Sequence, residues 1–376
     1  MLQTVTAFFS AYLAFPMLQL HKINITQFKN YTSSTFEFKE KVVGICGLNG
    51  KGKTNLLDAV YYCCFSKSYF SKSDNLNVQF NKEGFRLESF FNKKDEPQKI
   101  VCIYRNAGKK ELFLNDSPYE KMSHHIGKFP VVMIAPDDIE LITGNSEERR
   151  RFIDAVLSQM DISYLQQLIQ YNKVLQQRNS LLKQFAEQGK IDETLLEVLN
   201  KQLIEPGDFI YSTRKEFTEQ LIPLVQKFYH KIANSDEYIT LQYDSHLNKD
   251  NFQNLLSQYK EKDFFLQRTN TGPHKDDISI QFNDQPFKII ASQGQRKSLL
   301  FALKLAEAEL LKLNKGFAPL LLLDDVFEKL DNIRMQQLLK WVCNENKGQV
   351  IITDTDRKRL EEAFITLNTN YQIIEL

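Results

Sequence analysis

The order of apolar and polar positions predicts strands at the beginning of the chain. Residues 18–28 and 34–39 alternate between the two kinds of side chain, as antiparallel strands with one buried face do. Residues 42–45 are apolar without alternation and run into Gly47, which predicts a strand covered on both faces. A helical apolar pattern follows near residues 55–65. Three more strands are predicted in this region, the last two as a hairpin: 85–91, 98–105 and 110–115.

The middle of the chain, from residue 146 to about residue 232, has a helical pattern rich in Leu, Gln, Glu and Lys. Gly189 and the pair Pro206-Gly207 predict breaks, so we expect separate helices of about 15–30 residues. Helices of that length are too short for long coiled-coil arms. The pattern therefore predicts an inserted, mainly helical lobe.

Strand and helix patterns alternate again in the last third of the chain. A helix is predicted from Ser292 to about Leu313, and the apolar run 319–323 that follows ends in Asp324-Asp325. Four strands are predicted around these elements: 237–243, 277–282, 349–353 and one near the C terminus. The fold class predicted for the whole chain is α/β.

Charge and cysteine content limit the partners that the chain can have. The 48 Lys and Arg against 47 Asp and Glu give a net charge of +1, so no overall positive field attracts nucleic acid. Nucleic-acid binding would need a local patch or a patch assembled by oligomerisation. The five cysteines lack C-x-x-C spacing, which favours buried, reduced thiols over a disulfide framework or a zinc site.

The first sixteen residues are apolar, but they lack the basic start of a signal peptide and are too short to span a bilayer. A second start-like segment begins at Met17. We interpret residues 1–16 as an N-terminal extension or a misassigned start. No other stretch is long and apolar enough for a membrane, so we expect a cytoplasmic protein without membrane contact.

A phosphate-binding loop follows the strand at 42–45. Its residues match the pattern G-x-x-x-x-G-K-[ST], with a buried strand before it and a helix after it. In such a loop, backbone N–H groups and the helix N terminus surround a phosphate, the lysine neutralises it and the Thr hydroxyl holds Mg²⁺. The pattern predicts ATP and Mg²⁺ as cofactors, bound by Gly47, Leu48, Asn49, Gly50, Lys51, Gly52, Lys53 and Thr54.

Asp324 and Asp325 directly follow a run of four leucines, which predicts a central strand buried on both faces. Two carboxylates at the carboxyl end of such a strand are suited to a metal–phosphate site. We expect Asp324 to hold the Mg²⁺ shell and Asp325 to polarise the attacking water as the catalytic residue. The alternative is that the pair only caps the turn into the next helix.

A third segment opens the helix predicted from Ser292. Ser292 and Gln295 can form a capping box, which would be a sufficient structural role. The segment also resembles the ABC signature S-G-G-Q, which lies between the phosphate loop and the acidic strand in chain order. The signature candidates, which would serve a second subunit, are Ser292, Gln293, Gly294 and Gln295. Glu328 to Asp331 resembles the D-loop, with Asp331 as its aspartate.

Within the ABC/SMC-type ATPases, the chain most closely resembles the RecF family. The resemblance covers the chain from Met17 to its end. Besides the phosphate loop, signature and acidic strand, its motifs are Gln27–Tyr31, Asn55–Ala59, Ala135–Asp138, Gly144, Arg149–Asp154 and Thr271–Asp277.

The resemblance implies an ABC-type ATPase head, in which a mixed β-sheet surrounds the P-loop helix, with the inserted helical lobe and no long coiled coil. It implies ATP-dependent homodimerisation with slow, DNA-stimulated hydrolysis. It also implies binding to single-stranded DNA and to single-strand/double-strand junctions in gapped duplex. With RecO and RecR, such a protein would help load RecA during DNA repair and replication.

The resemblance assigns three more residues near the nucleotide. Lys29 and Asn30 are implied ATP-binding residues, although the family often has Arg at the position of Lys29. Gln79 is the candidate for the Q-loop glutamine. Where ABC ATPases usually carry a switch histidine, this chain has Thr353-Asp354-Thr355, so no switch histidine is assigned. Asp325 stands where ABC ATPases usually have Glu. An Asp pair at this place is normal for RecF proteins.

We divide the chain into three parts. After the extension at 1–16, residues 17–125 and 310–376 form an ATP-binding lobe, and residues 126–309 form a helical lobe carrying the signature segment. Competing functions are a small-molecule P-loop kinase, a transporter ATPase subunit and another SMC-like ATPase. Candidate DNA-phosphate contacts are Lys67, Lys72, Arg149–Arg151 and Arg357–Arg359, and the alternative for each cluster is a solvated face. Arg149–Arg151 could instead pair with Glu147, Glu148 and Asp154 nearby.

Overall fold

The computed structural model describes residues 18–105, 108–189, 192–233, 237–327 and 332–376. The segment 1–16 lies outside the described residues. The strands are β1 Leu18–Phe28, β2 Tyr31–Glu37, β3 Val42–Cys46, β4 Gly84–Lys93, β5 Glu96–Arg105, β6 Lys109–Leu114, β7 Ser117–Pro118, β8 Val131–Ile134, β9 Ile239–Asp244, β10 Asp277–Phe282, β11 Gln285–Pro286, β12 Leu320–Leu323, β13 Val350–Asp354 and β14 Tyr371–Glu375.

Eleven α-helices lie in the described residues. They are α1 Lys53–Phe65, α2 Glu140–Thr143, α3 Ser146–Met160, α4 Ile162–Gln188, α5 Glu193–Ala233, α6 Phe252–Gln258, α7 Lys260–Leu266, α8 Phe287–Ile290, α9 Gln293–Lys315, α10 Asn332–Lys340 and α11 Arg357–Thr366. None of the helices in the described ranges is both long and apolar enough to cross a bilayer.

One sheet is parallel and has five strands, in the order β14-β3-β13-β12-β8. Its central strands β3, β12 and β13 are entirely buried. Side chains on the two faces belong to two different hydrophobic clusters, which explains why these strands lack alternation. Because parallel strands end at one edge, the residues after β3 and β12 come together there.

Helix α1 is sandwiched between the parallel sheet and a second sheet. That sheet is antiparallel, with six strands in the order β2-β1-β4-β5-β6-β7. Leu56 and Val60 of α1 share one cluster with Ile25 of the antiparallel sheet and with Ile45 and Leu322 of the parallel sheet. The five cysteines are buried and free, as the sequence predicts.

The helical lobe is dominated by α4 and α5, which form a hairpin in which Arg178 Nε donates to Asn200 Oδ1 at 2.7 Å. Gly189 ends α4 in the left-handed conformation (φ +64°), so this predicted break is confirmed. The predicted break at Pro206-Gly207 is wrong, since α5 runs through it for 41 residues.

Tertiary packing explains why the helix continues. Pro206 and Gly207 are both buried, and a Cβ on Gly207 would stand 2.4 Å from the ring of Phe252. The absent side chain thus allows α6 to approach α5 closely, and this contact outweighs the weak intrinsic helical preference of the pair. Within the described residues, α4 and α5 pack on each other in the lobe and form no long coiled-coil arm.

Strand β8 lies within the segment 126–309 that the sequence assigned to the helical lobe, yet it pairs with β12 in the parallel sheet. Four residues are too few to show a period, so this strand has no distinct sequence signal. The segment also contributes the three-stranded sheet β11-β10-β9, whose two longer strands were predicted. Predicted strand 34–39 is observed at Tyr31–Glu37, so it begins three residues and ends two residues earlier than predicted.

Candidate functional site

The phosphate loop connects the end of β3 to the start of α1, as predicted. Gly50 and Gly52 take positive φ angles of 82° and 106°, a region that side-chain-bearing residues rarely adopt. No atom lies within 4 Å of the position where a Cβ on Gly50 would stand, so space remains beside the loop backbone. On Gly52, a Cβ would approach the Asn30 side chain to 2.5 Å. The glycines thus permit both the turn and its close packing.

Lys53 lies against the loop from inside. The residue is 7% exposed, and its Nζ donates to the carbonyl oxygens of Gly47 at 2.7 Å and Leu48 at 3.2 Å. Both hydrogen bonds go to neutral carbonyls, so this buried ammonium is a favourable partner for an anion. Leu48, by contrast, is 72% exposed at the tip of the loop.

Thr54, Asp324 and Thr353 form a chain of hydrogen bonds at the carboxyl edge of the parallel sheet. Thr54 Oγ1 donates to Asp324 Oδ2 at 2.8 Å, and Thr353 Oγ1 donates to Asp324 Oδ1 at 2.8 Å. Burial raises the pKa of Asp324 above its ordinary value, and the hydrogen bonds from Thr353 and Thr54 oppose that rise. Hydroxyl and carboxylate oxygens this close together fit Mg²⁺, which prefers hard oxygen ligands.

Asp325 turns away from the strand direction immediately after Asp324. Its φ angle is +48°, and its backbone N–H donates to Thr353 Oγ1 at 2.9 Å. Thr353 therefore touches both members of the predicted acidic pair, a role that no sequence motif indicated.

The turn between β1 and β2 covers the phosphate loop. Asn30 Nδ2 donates to the Lys51 carbonyl at 3.3 Å, and Tyr31 Oη donates to the Gly52 carbonyl at 3.0 Å. Burial raises the pKa of Tyr31 to about 12, so it stays a donor at neutral pH. The structure thus brings Asn30 to the loop as predicted, together with Tyr31, to which the sequence assigned no role at the nucleotide.

Lys29 is adjacent to this turn but faces α1. Its Nζ lies 2.5 Å from Oδ2 of Asp58, which is fully buried. Asp58 also accepts hydrogen bonds from Ser68 Oγ and the Tyr69 N–H, both at 2.7 Å. The nucleotide contact implied for Lys29 stays a prediction.

The signature segment caps α9. Ser292 and Gln295 form the predicted capping box, with hydrogen bonds of 2.7 and 3.2 Å. Gln293 and Lys297 line a cavity of about 260 Å³ together with Asp324 and Asp325 of the same chain. The first turns of α9 therefore lie close to the acidic edge of their own sheet. Asp331, the candidate D-loop residue, lies outside the described residues.

Comparisons with known proteins agree with this geometry. The model of the RecF/RecN/SMC N-terminal domain matches residues 19–375. The DNA replication and repair protein RecF of Flavobacterium johnsoniae is 42% identical over 359 residues, covering 96% of this chain and 100% of that protein. The RecF protein of Bacteroides thetaiotaomicron is 39% identical, covering 95% and 96%.

This chain belongs to the RecF family. The solved structure of the recombination mediator protein RecF with ATP superposes with a TM-score of 0.85 at 32% identity, covering 92% of this chain and 94% of that one. The Smc head domain of Pyrococcus furiosus gives a TM-score of 0.55 at 16% identity and covers 96% and 93%, so it shares the fold. The ABC-type head predicted from the sequence is confirmed.

Two sequence motifs of the RecF resemblance meet each other in the helical lobe. Arg149 binds Asp277 through two nitrogens, at 2.6 and 3.0 Å, and Arg150 donates to the Asp276 carbonyl at 2.6 Å. Arg151 pairs with Glu147 and with Glu148 on its own helix. These arginines, which the sequence offered as DNA-phosphate contacts, are therefore engaged within the chain. Of the partners that the sequence suggested, Glu147 and Glu148 bind Arg151, whereas Asp154 binds Arg214.

The other residues that the sequence offered as nucleotide or DNA contacts lie in different parts of the fold. Gln79 is held beside β2, where its Nε2 donates to Thr32 Oγ1 at 2.9 Å. Arg357 pairs with Glu361 at 2.8 Å and with Glu375 at 2.9 Å. Lys67 and Lys72 are exposed and line a cavity of about 820 Å³.

Proposed function

We propose that this RecF-family chain is an ATP-dependent DNA-binding recombination mediator in DNA repair and replication. The proposal is supported by the hydrogen-bonded set of Thr54, Asp324 and Thr353 beside a complete phosphate loop. The kinship to RecF proteins supports the DNA-related part. We further propose that it binds single-stranded DNA and the junctions of gapped duplex in the cytoplasm, and helps load RecA with RecO and RecR.

In the proposed mechanism, the N–H groups of the phosphate loop and the start of α1 bind the phosphates of ATP. Lys53 exchanges its carbonyl partners for phosphate oxygens, a stronger, charge-assisted interaction. Thr54 and Asp324 would hold Mg²⁺, which would supply charge neutralisation on the phosphates. Asp325 orients the attacking water and accepts its proton.

The signature segment completes the site of a second copy. The N terminus of α9 has backbone N–H groups and a positive dipole end, both suited to a γ-phosphate. We propose that ATP joins two copies into a two-fold symmetric dimer, with Ser292 to Gln295 of each facing the nucleotide of the other. Hydrolysis would then release the dimer and act as a slow, DNA-stimulated switch.

The first experiment tests nucleotide binding. Lys53→Ala removes the ammonium and should weaken the binding of a fluorescent ATP analogue by at least about 100-fold, equivalent to losing one charge-assisted contact of about 2.7 kcal/mol. Lys51→Ala is the matched control, because the neighbouring lysine is exposed and we assign only its backbone to the site. Equal affinity of wild type and Lys53→Ala would contradict the assigned role of the loop.

The second experiment tests the dimer and the DNA. Wild type with ATP should change from monomer to dimer in light scattering, and it should bind gapped duplex more tightly than blunt duplex. Ser292→Arg should still bind ATP but remain monomeric, because the long side chain would occupy the γ-phosphate position. A strictly monomeric Ser292→Arg protein that hydrolyses ATP at the wild-type rate would refute the composite site.

A further inference from the structure

Thr353 occupies the position between the two halves of the candidate site. It is the fourth residue of β13, which lies between β3 with the phosphate loop and β12 with the acidic pair. Thr353 is fully buried and pairs in register with Ile45 near the end of β3. A hydroxyl at this point can reach both neighbouring strand ends.

The hydroxyl of Thr353 is used in two directions. A Thr hydroxyl offers one donor and two acceptor lone pairs. The proton goes to Asp324 Oδ1 at 2.8 Å, and a lone pair accepts the N–H of Asp325 at 2.9 Å. One group therefore contacts the side chain of one aspartate and the backbone of the next.

The first contact fixes the carboxylate of Asp324. With Thr54 on Oδ2 and Thr353 on Oδ1, each oxygen has a hydroxyl donor, and Asp324 is only 4% exposed. The carboxylate is thus held in one orientation relative to Thr54. Loss of the Thr353 donor would free the carboxylate to rotate, and the two oxygen ligands would lose their mutual alignment.

The second contact fixes the turn that carries Asp325. A φ angle of +48° is unfavourable for a residue with a side chain and persists only where neighbouring groups hold it. The hydrogen bond from the Asp325 N–H to Thr353 Oγ1 supports this turn. The same hydroxyl therefore helps to hold the backbone from which the Asp325 side chain projects.

We infer that Thr353 is a positioning residue for ATP hydrolysis, whose single hydroxyl holds Asp324 toward the metal and Asp325 toward the attacking water. This inference rests on the proposed function. It assigns a role to the position where other ABC ATPases carry the switch histidine. A threonine that merely satisfies its own buried hydroxyl would be the alternative.

Thr353→Val removes the hydroxyl while keeping the branched shape, and Thr353→Ser keeps the hydroxyl. For Thr353→Val we expect kcat to fall by about 10- to 100-fold, because the reacting groups would be misplaced. KM should change less than about threefold. Thr353→Ser should return kcat to within a few-fold of wild type. Thr355→Val is the matched control, because that hydroxyl contacts Asp354 and neither member of the acidic pair.

A binding measurement separates positioning from folding. Affinity for a fluorescent ATP analogue in EDTA should be equal in wild type and Thr353→Val, whereas the gain in affinity on adding Mg²⁺ should be reduced in Thr353→Val alone. Wild-type kcat and wild-type Mg²⁺ dependence in Thr353→Val would overturn the inference. Equal losses with and without Mg²⁺, not rescued by Ser, would also overturn it, because they indicate a structural role.

The same measurement remains decisive if the proposed function fails. A wild-type chain that binds Mg²⁺·ATP but neither hydrolyses it nor dimerises would refute the proposed function. The Mg²⁺-dependent gain in affinity would then still show whether Thr353 positions Asp324.

Discussion

Replacing Glu307 by glutamine should make the stability of the protein less dependent on pH. Glu307 lies on α9, is 4% exposed, and its Oε2 has no hydrogen-bond partner among the described residues. Burial raises its pKa from 4.5 to about 7, against the opposing effect of Lys304, whose Nζ is 3.7 Å away. Asp138, whose carboxylate is 3.6 Å from the same Nζ, raises the pKa of Glu307 further.

The sign of the effect follows from the two pKa values. Because the folded pKa is above the unfolded one, the folded state binds this proton more tightly. The stabilisation is complete below about pH 4.5 and is lost as the pH rises through about 7. Between pH 5 and pH 8 this group should reduce the free energy of unfolding by about 2.5 kcal/mol. The amide side chain of Glu307→Gln does not titrate, so this pH-dependent part of the free energy of unfolding should be absent from the variant.

Urea unfolding at pH 5, 6, 7 and 8 can measure the difference, followed by circular dichroism and by the fluorescence of Trp341, the single tryptophan. The variant and wild type should be similar at pH 5, and the variant should be more stable by about 2.5 kcal/mol at pH 8. Glu309→Gln on the same helix is the control, because Glu309 is partly exposed and its pair with Lys312 is worth about 0–1 kcal/mol. Parallel pH profiles for Glu307→Gln and wild type would refute the reasoning.

Two other substitutions test the packing of the helical lobe. Gly207→Ala should destabilise by about 1–3 kcal/mol in thermal or urea unfolding, because its Cβ would meet the Phe252 ring at 2.4 Å. The added Phe252→Leu change should relieve part of that cost, and a simple additive loss would contradict the clash. Arg178→Met should cost about 3–5 kcal/mol, because it leaves the carboxylate of Asp263, 1% exposed, without its buried partner at 2.8 Å. Lys260→Met, which removes an exposed ion pair, should cost less than about 1 kcal/mol.

The elements that the sequence predicted well are those whose signal is local. The phosphate loop needs glycines at left-handed positions such as Gly50 and Gly52, and these positions are visible in eight consecutive letters. The capping box at Ser292 and Gln295 is likewise a local pattern, and it is present in the structure. The buried strands β3 and β12 were recognisable because burial on both faces removes alternation.

The elements that the sequence missed depend on contacts between distant segments. The sequence predicted a break at Pro206 and Gly207 because both residues have a low intrinsic preference for the helix. The contact that favours the helix is made with Phe252, some 45 residues further along the chain. Thr353 has no motif of its own, and its role follows only from the order of strands in the parallel sheet. The pairing of Lys29 with Asp58 is similar, since neither residue indicates the other in the sequence.

If the proposed function is correct, the ion pairs of the arginines reduce the number of side chains that are available to bind DNA. Arg149 is held by Asp277, Arg357 by Glu361, and Arg359 by Asp354 through Nε at 2.8 Å. A DNA phosphate would have to displace a carboxylate from each of these guanidinium groups, and the gain from counterion release would be offset by the lost pair. Lys67 and Lys72 are exposed and form no ion pair among the described residues, so a DNA phosphate would not have to displace a carboxylate from them. Two lysines on a chain of net charge +1, however, provide little attraction for DNA. A dimer brings two such surfaces to one duplex, so DNA affinity should depend on ATP far more than the charge of one chain would allow.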